Sequence, residues 1–157
     1  MDDDGLVIDM SHSAEKSTLE AIDISERPIA ITHANPSFFH NALRNKSDTV
    51  LRAIGESEVM LGFSMYPFHL KNGSDCTLEE FCQMIAQTAE MIGIDRIGIG
   101  SDLCLNWDYK ILEWMRSGRW TTSVDHGEGS ADKLSWPEQP AWFKGHEDLH
   151  KVAKGRE

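Results

Sequence analysis

The sequence predicts an α/β fold in which parallel strands alternate with helices. Three observations carry that expectation. Four apolar runs, at 5–12, 29–33, 59–66 and 96–102, are too short and too rich in β-branched residues to be helices. Segments with helical spacing separate them. Strands that are apolar almost throughout belong to sheets covered by helices on their faces. Finally, three of the runs end on polar, chemically capable side chains: His12, His33 and Asp102.

The elements follow in order. Residues 5–12, "GLVIDMSH", read as a buried strand, and 14–26, "AEKSTLEAIDISE", as a helix with Leu19 and Ile22 on one face. Pro28 closes that helix. Residues 29–33, "IAITH", form the second strand, and 36–45 read as loop and short helix. The helix over 47–57 has Ser47 or Asp48 as its N-cap. "VMLGFSMY" (59–66) is the third strand. The helix over 77–93 has the strongest signals in the chain, with Thr77 and Glu80 as a capping box and Gly93 as a stop. "RIGIGSD" (96–102) is the fourth strand. Beyond it the periodicity fades. A helix is expected over 109–116, an ordered irregular region over 117–145, and a frayed end.

Composition narrows the function classes. The chain has 157 residues, 40% of them hydrophobic, with 26 acidic against 15 basic side chains and a formal charge of -11. The mean hydropathy is -0.40. That length supports one domain with its own core. The acidic surface and the lack of a basic patch argue against nucleic acid and anionic membranes as partners. No run approaches the roughly 20 apolar residues of a membrane span. The start, "MDDDG", is acidic, unlike the basic start of a signal peptide. Cys76, Cys82 and Cys104 are odd in number and lack CxxC spacing, which suits reduced thiols in a cytoplasm.

In parallel α/β folds, ligands bind at the carboxyl ends of the strands. His12, His33 and Asp102 should therefore share one mouth. Neutral imidazoles on neighbouring strands are good zinc ligands, and a nearby carboxylate can orient or deprotonate a water. A lone strand-end histidine is more often a polar turn residue. Two of them with an acid make metal binding an equal contender.

The motifs "IDMSH", "THAN", "LRNKSD" and "IGIGSD" resemble, in order and spacing, the "IDLSH", "SHSN", "RNLTD" and "GLGSD" of the membrane (renal) dipeptidase family of zinc peptidases. The tail "WPEQPAWFKGHEDLHKVAKG" is similar to a family segment of the type "PSWFRDNRDFPNIAEGL". The resemblance implies a (β/α)8 TIM-type barrel of which this chain is the second half, with four parallel strands. It implies one partial domain over 5–157, with 103–157 a loop-rich tail. It also implies a two-zinc site in which metal-activated water cleaves a dipeptide. On that basis His12 and His33 match zinc ligands. Arg44 matches the residue that grips the substrate carboxylate, a task suited to a bidentate fork. Asp102 matches the aspartate that handles the proton of the catalytic water.

The match has gaps. A (β/α)8 barrel typically takes ~250 residues. The family's His-x-Asp pair and bridging glutamate have no strand-end counterpart here, and "HED" (His146, Asp148) lies in the tail. The chain is then a fragment, a half-barrel that assembles as a homo-oligomer, or a relic without chemistry. Two functions follow as expectations. One is a zinc dipeptidase, incomplete or weak as this isolated chain. The other is a non-catalytic binding or assembly module.

Overall fold

The computed structural model describes residues 4–103 and 137–155. Its elements in chain order are α1 (Glu15–Ile24), β1 (Ala30–Ile31), α2 (Asp48–Gly55), β2 (Met60–Phe63), α3 (Leu78–Ile92), β3 (Ile97–Ile99) and α4 (Leu149–Lys154). The three strands form one parallel sheet in the order β1-β2-β3. Ala30 pairs with Met60, and Gly62 with Gly98.

The helices begin and end where local chemistry sets them. Ser47 caps α2 by accepting the Val50 amide. At α3 both halves of the Thr77–Glu80 box are made, and Gly93 ends the helix at φ 90°, a value that glycine tolerates best. The apolar faces of these helices meet the sheet. Val50, Leu51 and Ile54 from α2 and Phe81, Met84 and Ile92 from α3 are buried with Ile31, Leu61 and Phe63 from the strands. Trp142 and Phe143 join the same cluster from the tail.

The described sheet has three strands where four were expected. Segment 5–12 runs beside β1 but makes a single parallel bridge, Asp9 to Ala30. Met10 N–H donates to the Ala30 carbonyl at 2.8 Å, and Ala30 N–H to that of Ile8 at 2.9 Å. Beyond that point side chains replace the backbone ladder. Asp9 Oδ1 accepts the Thr32 amide at 3.1 Å, and Ser11 Oγ the His33 amide at 3.0 Å.

Residues 36–45 hold turns and no helix. A bridge from Pro36 to Lys46 closes them. The frayed end is also corrected, because residues 149–154 form α4, which stops at Gly155 with φ 63°. Its Lys151 Nζ donates to the Trp142 carbonyl at 3.2 Å, and Trp142 Nε1 to that of Cys76 at 2.8 Å. The expected helix over 109–116 lies outside the described residues. So do Cys104 and most of the irregular region. Among the described residues, no helix is long and apolar enough to cross a membrane.

Candidate functional site

The carboxyl ends of the strands hold the chemistry. Residue 12 follows the segment bridged to β1, residue 33 follows β1, and residue 102 follows β3. His12 Nε2 and His33 Nε2 lie 2.9 Å apart. Their rings meet edge to face, with centroids 5.0 Å apart. Asp102 Oδ1 is 3.8 Å from His33 Nε2. Asp102 has φ 58°, a left-handed turn conformation that aspartate adopts more readily than most residues.

Two glycines make room for this arrangement. A Cβ at Gly62 or at Gly100 would run into the carbonyl oxygen of Thr32, the residue before His33. Gly62 of "LGF" and the last glycine of "IGIG", Gly100, are thus required by close backbone approach.

A set of side chains behind His33 sets its tautomer. Thr32 Oγ1 donates to Asp9 Oδ2 at 2.7 Å, and Ser11 Oγ to Asp9 Oδ1 at 2.6 Å. His33 Nδ1 lies 2.9 Å from the same Thr32 oxygen. Because the Thr32 proton is committed to Asp9, the oxygen accepts from His33 Nδ1–H. His33 Nε2 therefore carries a lone pair, which takes the proton of His12 Nε2–H. Partial desolvation pulls the Asp9 pKa up, but the hydrogen bonds from Ser11 and Thr32 outweigh it and hold the carboxyl well below its ordinary range.

Lys46 secures the turn that carries His12. It is 4% exposed, and its Nζ donates to the carbonyls of Met10, Ser11 and Ser13 at 3.0, 3.0 and 3.1 Å. Burial, and then the charge of Arg44, bring its pKa down to about 8, while Asp9 acts in the opposite sense. Arg44 itself stands two residues earlier, with Nε and Nη2 buried. It is the strongest charged neighbour of both Lys46 and the buried His69.

Of the four residues singled out from sequence, His12, His33 and Asp102 meet at one mouth, and Arg44 lies on the loop beside it. His146 approaches the same rim by a 2.8 Å contact with Ser101 Oγ. Asp148 instead accepts the Lys144 amide. Among the described residues, no group of three or more His, Cys, Asp or Glu side chains is placed to hold a metal. Lys46, Asn35 and His69 were not found by sequence reasoning. They are single polar residues in loops, with no period to mark them. Asp9 and Ser11 carried a faint signal, being two apart in an extended segment and so on one face.

The model of the membrane dipeptidase family, peptidase family M19, matches residues 1–108. A dipeptidase of Claviceps purpurea, tcpJ, is 28% identical over 99 residues, which are 62% of this chain and 23% of the relative. Dipeptidase ataJ of Aspergillus terreus is 30% identical over 100 residues, 62% of this chain and 24% of its own. Among solved structures, an amidohydrolase from Pseudomonas aeruginosa superposes with a TM-score of 0.79 at 26% identity. It covers 96% of this chain, which spans 45% of that protein. A metallopeptidase from Rhodobacter sphaeroides, bound to a phosphinate mimic of the dipeptide L-Ala-D-Ala, gives 0.57 at 27% identity, covering 60% of this chain and 28% of its own. The chain thus spans about a quarter of the curated relatives it matches. With the family model covering more than half of its residues, this chain belongs to the membrane dipeptidase family, peptidase family M19.

Proposed function

We propose that this chain contributes the second half of a (β/α)8 barrel whose strand-end mouth is a zinc-dependent dipeptidase site. The observation that carries the reading is the His12–His33 pair. Its two Nε2 atoms converge at 2.9 Å, and the other nitrogen of His33 is anchored through Thr32 to Asp9. An imidazole whose far N–H is held by an oxygen, with a carboxylate behind, is the usual form of a histidine metal ligand. The donor set fits zinc, which favours imidazole nitrogen. When bound, zinc supplies Lewis-acid polarisation of a carbonyl and a water that ionises near neutral pH.

The remaining roles belong to the protein. His12 and His33 hold the ion. Asp102 orients the attacking water and carries its proton towards the leaving amine. Arg44 pairs with the free carboxylate of a small dipeptide substrate. The dipeptide mimic bound by the Rhodobacter relative supports that substrate class.

Catalytic zinc normally has three protein ligands. Two histidines leave a site one ligand short, so the 157-residue chain alone should hydrolyse dipeptides weakly or not at all. The missing ligand would come from more of the barrel or from a second copy. Zinc content on a size-defined peak tests the reading. About one zinc per chain, lost in His12→Ala and in His33→Ala, is expected. A well-folded peak without zinc counts against it.

A second reading, that of an assembly module, has one observation in its favour. An open apolar groove of ≈ 570 Å³ runs along β3 between α3 and α4, lined by Cys82, Ile85, Ala89, Ile94, Ile99 and Val152 among others. A covering half-barrel would bury it. Light scattering at micromolar concentration should then show a homo-oligomer.

A further inference from the structure

The histidine and aspartate of "HED", His146 and Asp148, have no part in the metal reading, and the fold gives them separate tasks. Asp148 shapes the tail. Its Oδ2 accepts the Lys144 amide at 2.8 Å, and its Oδ1 lies 3.1 Å from Lys151 Nζ. Its own amide donates to the Gly145 carbonyl at 3.0 Å. Trp142 and Phe143, 3% and 0% exposed, fix this turn to the core. His146 is thus carried on an anchored frame, with its ring centroid 6.5 Å from that of Phe143. From there its Nε2 reaches Ser101 Oγ at 2.8 Å, across 45 positions of chain.

Ser101 stands where the sheet stops. Gly100 N–H donates to the Phe63 carbonyl at 3.0 Å, and Met65 N–H to the Ser101 carbonyl at 3.2 Å, continuing the ladder between β2 and β3. The next residue is Asp102, at φ 58°. That conformation is unfavourable for a residue with a side chain, so the turn needs support. Ser101 Oγ supplies some of it by accepting the Leu103 amide at 3.3 Å, which closes a small ring around Asp102. A hydroxyl free to rotate is a weak hold. The imidazole removes that freedom, because Oγ then sits between two partners whichever of the pair donates. Asp102 Oδ1 in turn is 3.8 Å from His33 Nε2. A chain of contacts therefore runs from the buried aromatics of the tail to the strand-end histidines.

We propose that His146 is a positioning residue: through the Ser101 hydroxyl it holds the turn that presents Asp102 to His33. The residue type suits the task. An imidazole nitrogen can donate or accept, and its ring is long enough to cross from the tail to the strand end. The work of Asp102 on a catalytic water rests on the reading above. The hold on its turn does not.

The test is NMR of the full chain as purified, comparing His146→Ala, His146→Gln and Ser101→Ala with the wild type. Three signals are read. The Trp142 indole N–H, bonded to the Cys76 carbonyl, follows the docking of the tail. The Leu103 amide follows the turn, and the His33 ring follows Asp102. His146 is exposed, so its substitution by alanine leaves the core intact. His146→Ala should speed exchange of the Leu103 amide about 5-fold, the loss of one ordinary hydrogen bond. It should also shift the His33 ring and leave the Trp142 indole where it was. Ser101→Ala should do the same, and the double variant no more than either alone. Glutamine, which also donates or accepts, should restore both signals in His146→Gln. A Leu103 amide and His33 ring that ignore His146→Ala overturn the proposal. So does a Trp142 indole that moves with them, which would make His146 a dock for the tail, and so does a glutamine variant that restores nothing. Zinc content of the same wild-type and His146→Ala samples should be equal, and a loss in the variant would make His146 a ligand instead. A wild type without zinc that still shows the His146 effect removes the zinc site and keeps the positioning role. Zinc bound normally with no His146 effect does the reverse.

Discussion

The two edges of the sheet are finished by opposite means. Beside β1, the segment that carries His12 is held by directional polar bonds. Asp9 and Ser11 take over the ladder, and Lys46 gathers three carbonyls of the turn. Beside β3, the edge faces an apolar groove, with Ile99 44% and Ile94 67% exposed. Apolar burial scales with area and has no direction, so it stabilises without placing an atom. Hydrogen bonds to specific oxygens and nitrogens set positions, which a functional side chain needs. The histidine pair of the candidate site accordingly sits on the polar side, and the stability of the molecule should rest on the apolar one.

The largest expected effect tests the apolar half of that contrast. Phe81 is 0% exposed and links the sheet to the tail, with ring centroids 6.4 Å from Phe63 and 5.2 Å from Trp142. Phe81→Ala should cost about 3–5 kcal/mol. Urea denaturation measures it, and a loss below about 1 kcal/mol would remove the contrast.

The polar side should be the one that acid weakens. In the unfolded chain His69 takes a proton near pH 6.5, whereas in the fold it resists until about pH 3. Between those values the unfolded chain binds more protons. Stability then falls as the pH drops through 6.5, and the loss is complete near pH 3. At about 1.4 kcal/mol per unit, the loss reaches roughly 3 kcal/mol by pH 4. His69→Gln should flatten the denaturation midpoint between pH 6.5 and 4. An unchanged slope in that variant would assign the acid sensitivity elsewhere.

The smallest effect belongs to the open edge. Ile99→Lys should change the stability of this chain by less than about 0.5 kcal/mol, since the site is already wet. A cost above about 1 kcal/mol, read in the same denaturation series, would mean that something covers the edge in solution.

Most of the helical framework was legible, because its signals are local. Ser47, Thr77 with Glu80, and Gly93 act within one helical turn of themselves, and α1, α2 and α3 all fall inside the expected ranges. Strands were harder. Apolar composition marked where they run, but pairing needs a partner at the right register. Segment 5–12 meets β1 at one bridge before its side chains displace the ladder. Helix α4 was missed because tertiary contacts such as Lys151 to the Trp142 carbonyl support it.

The sequence by itself determined the order of β1 to β3 and α1 to α3, the caps of α2 and α3, the family, and which extended segments end in His12, His33 and Asp102. Periodicity, capping and motif spacing are properties of neighbours along the chain, so one sequence displays them. Only the tertiary structure decided that the two histidines meet at 2.9 Å, that Asp9 stands behind His33, that Lys46 ties down the first turn, and that Asn35 and Asn45 clasp His69. Those bonds join residues as many as 36 positions apart. Each one exists because a particular buried donor had to find an acceptor in three dimensions, and no local pattern records that requirement.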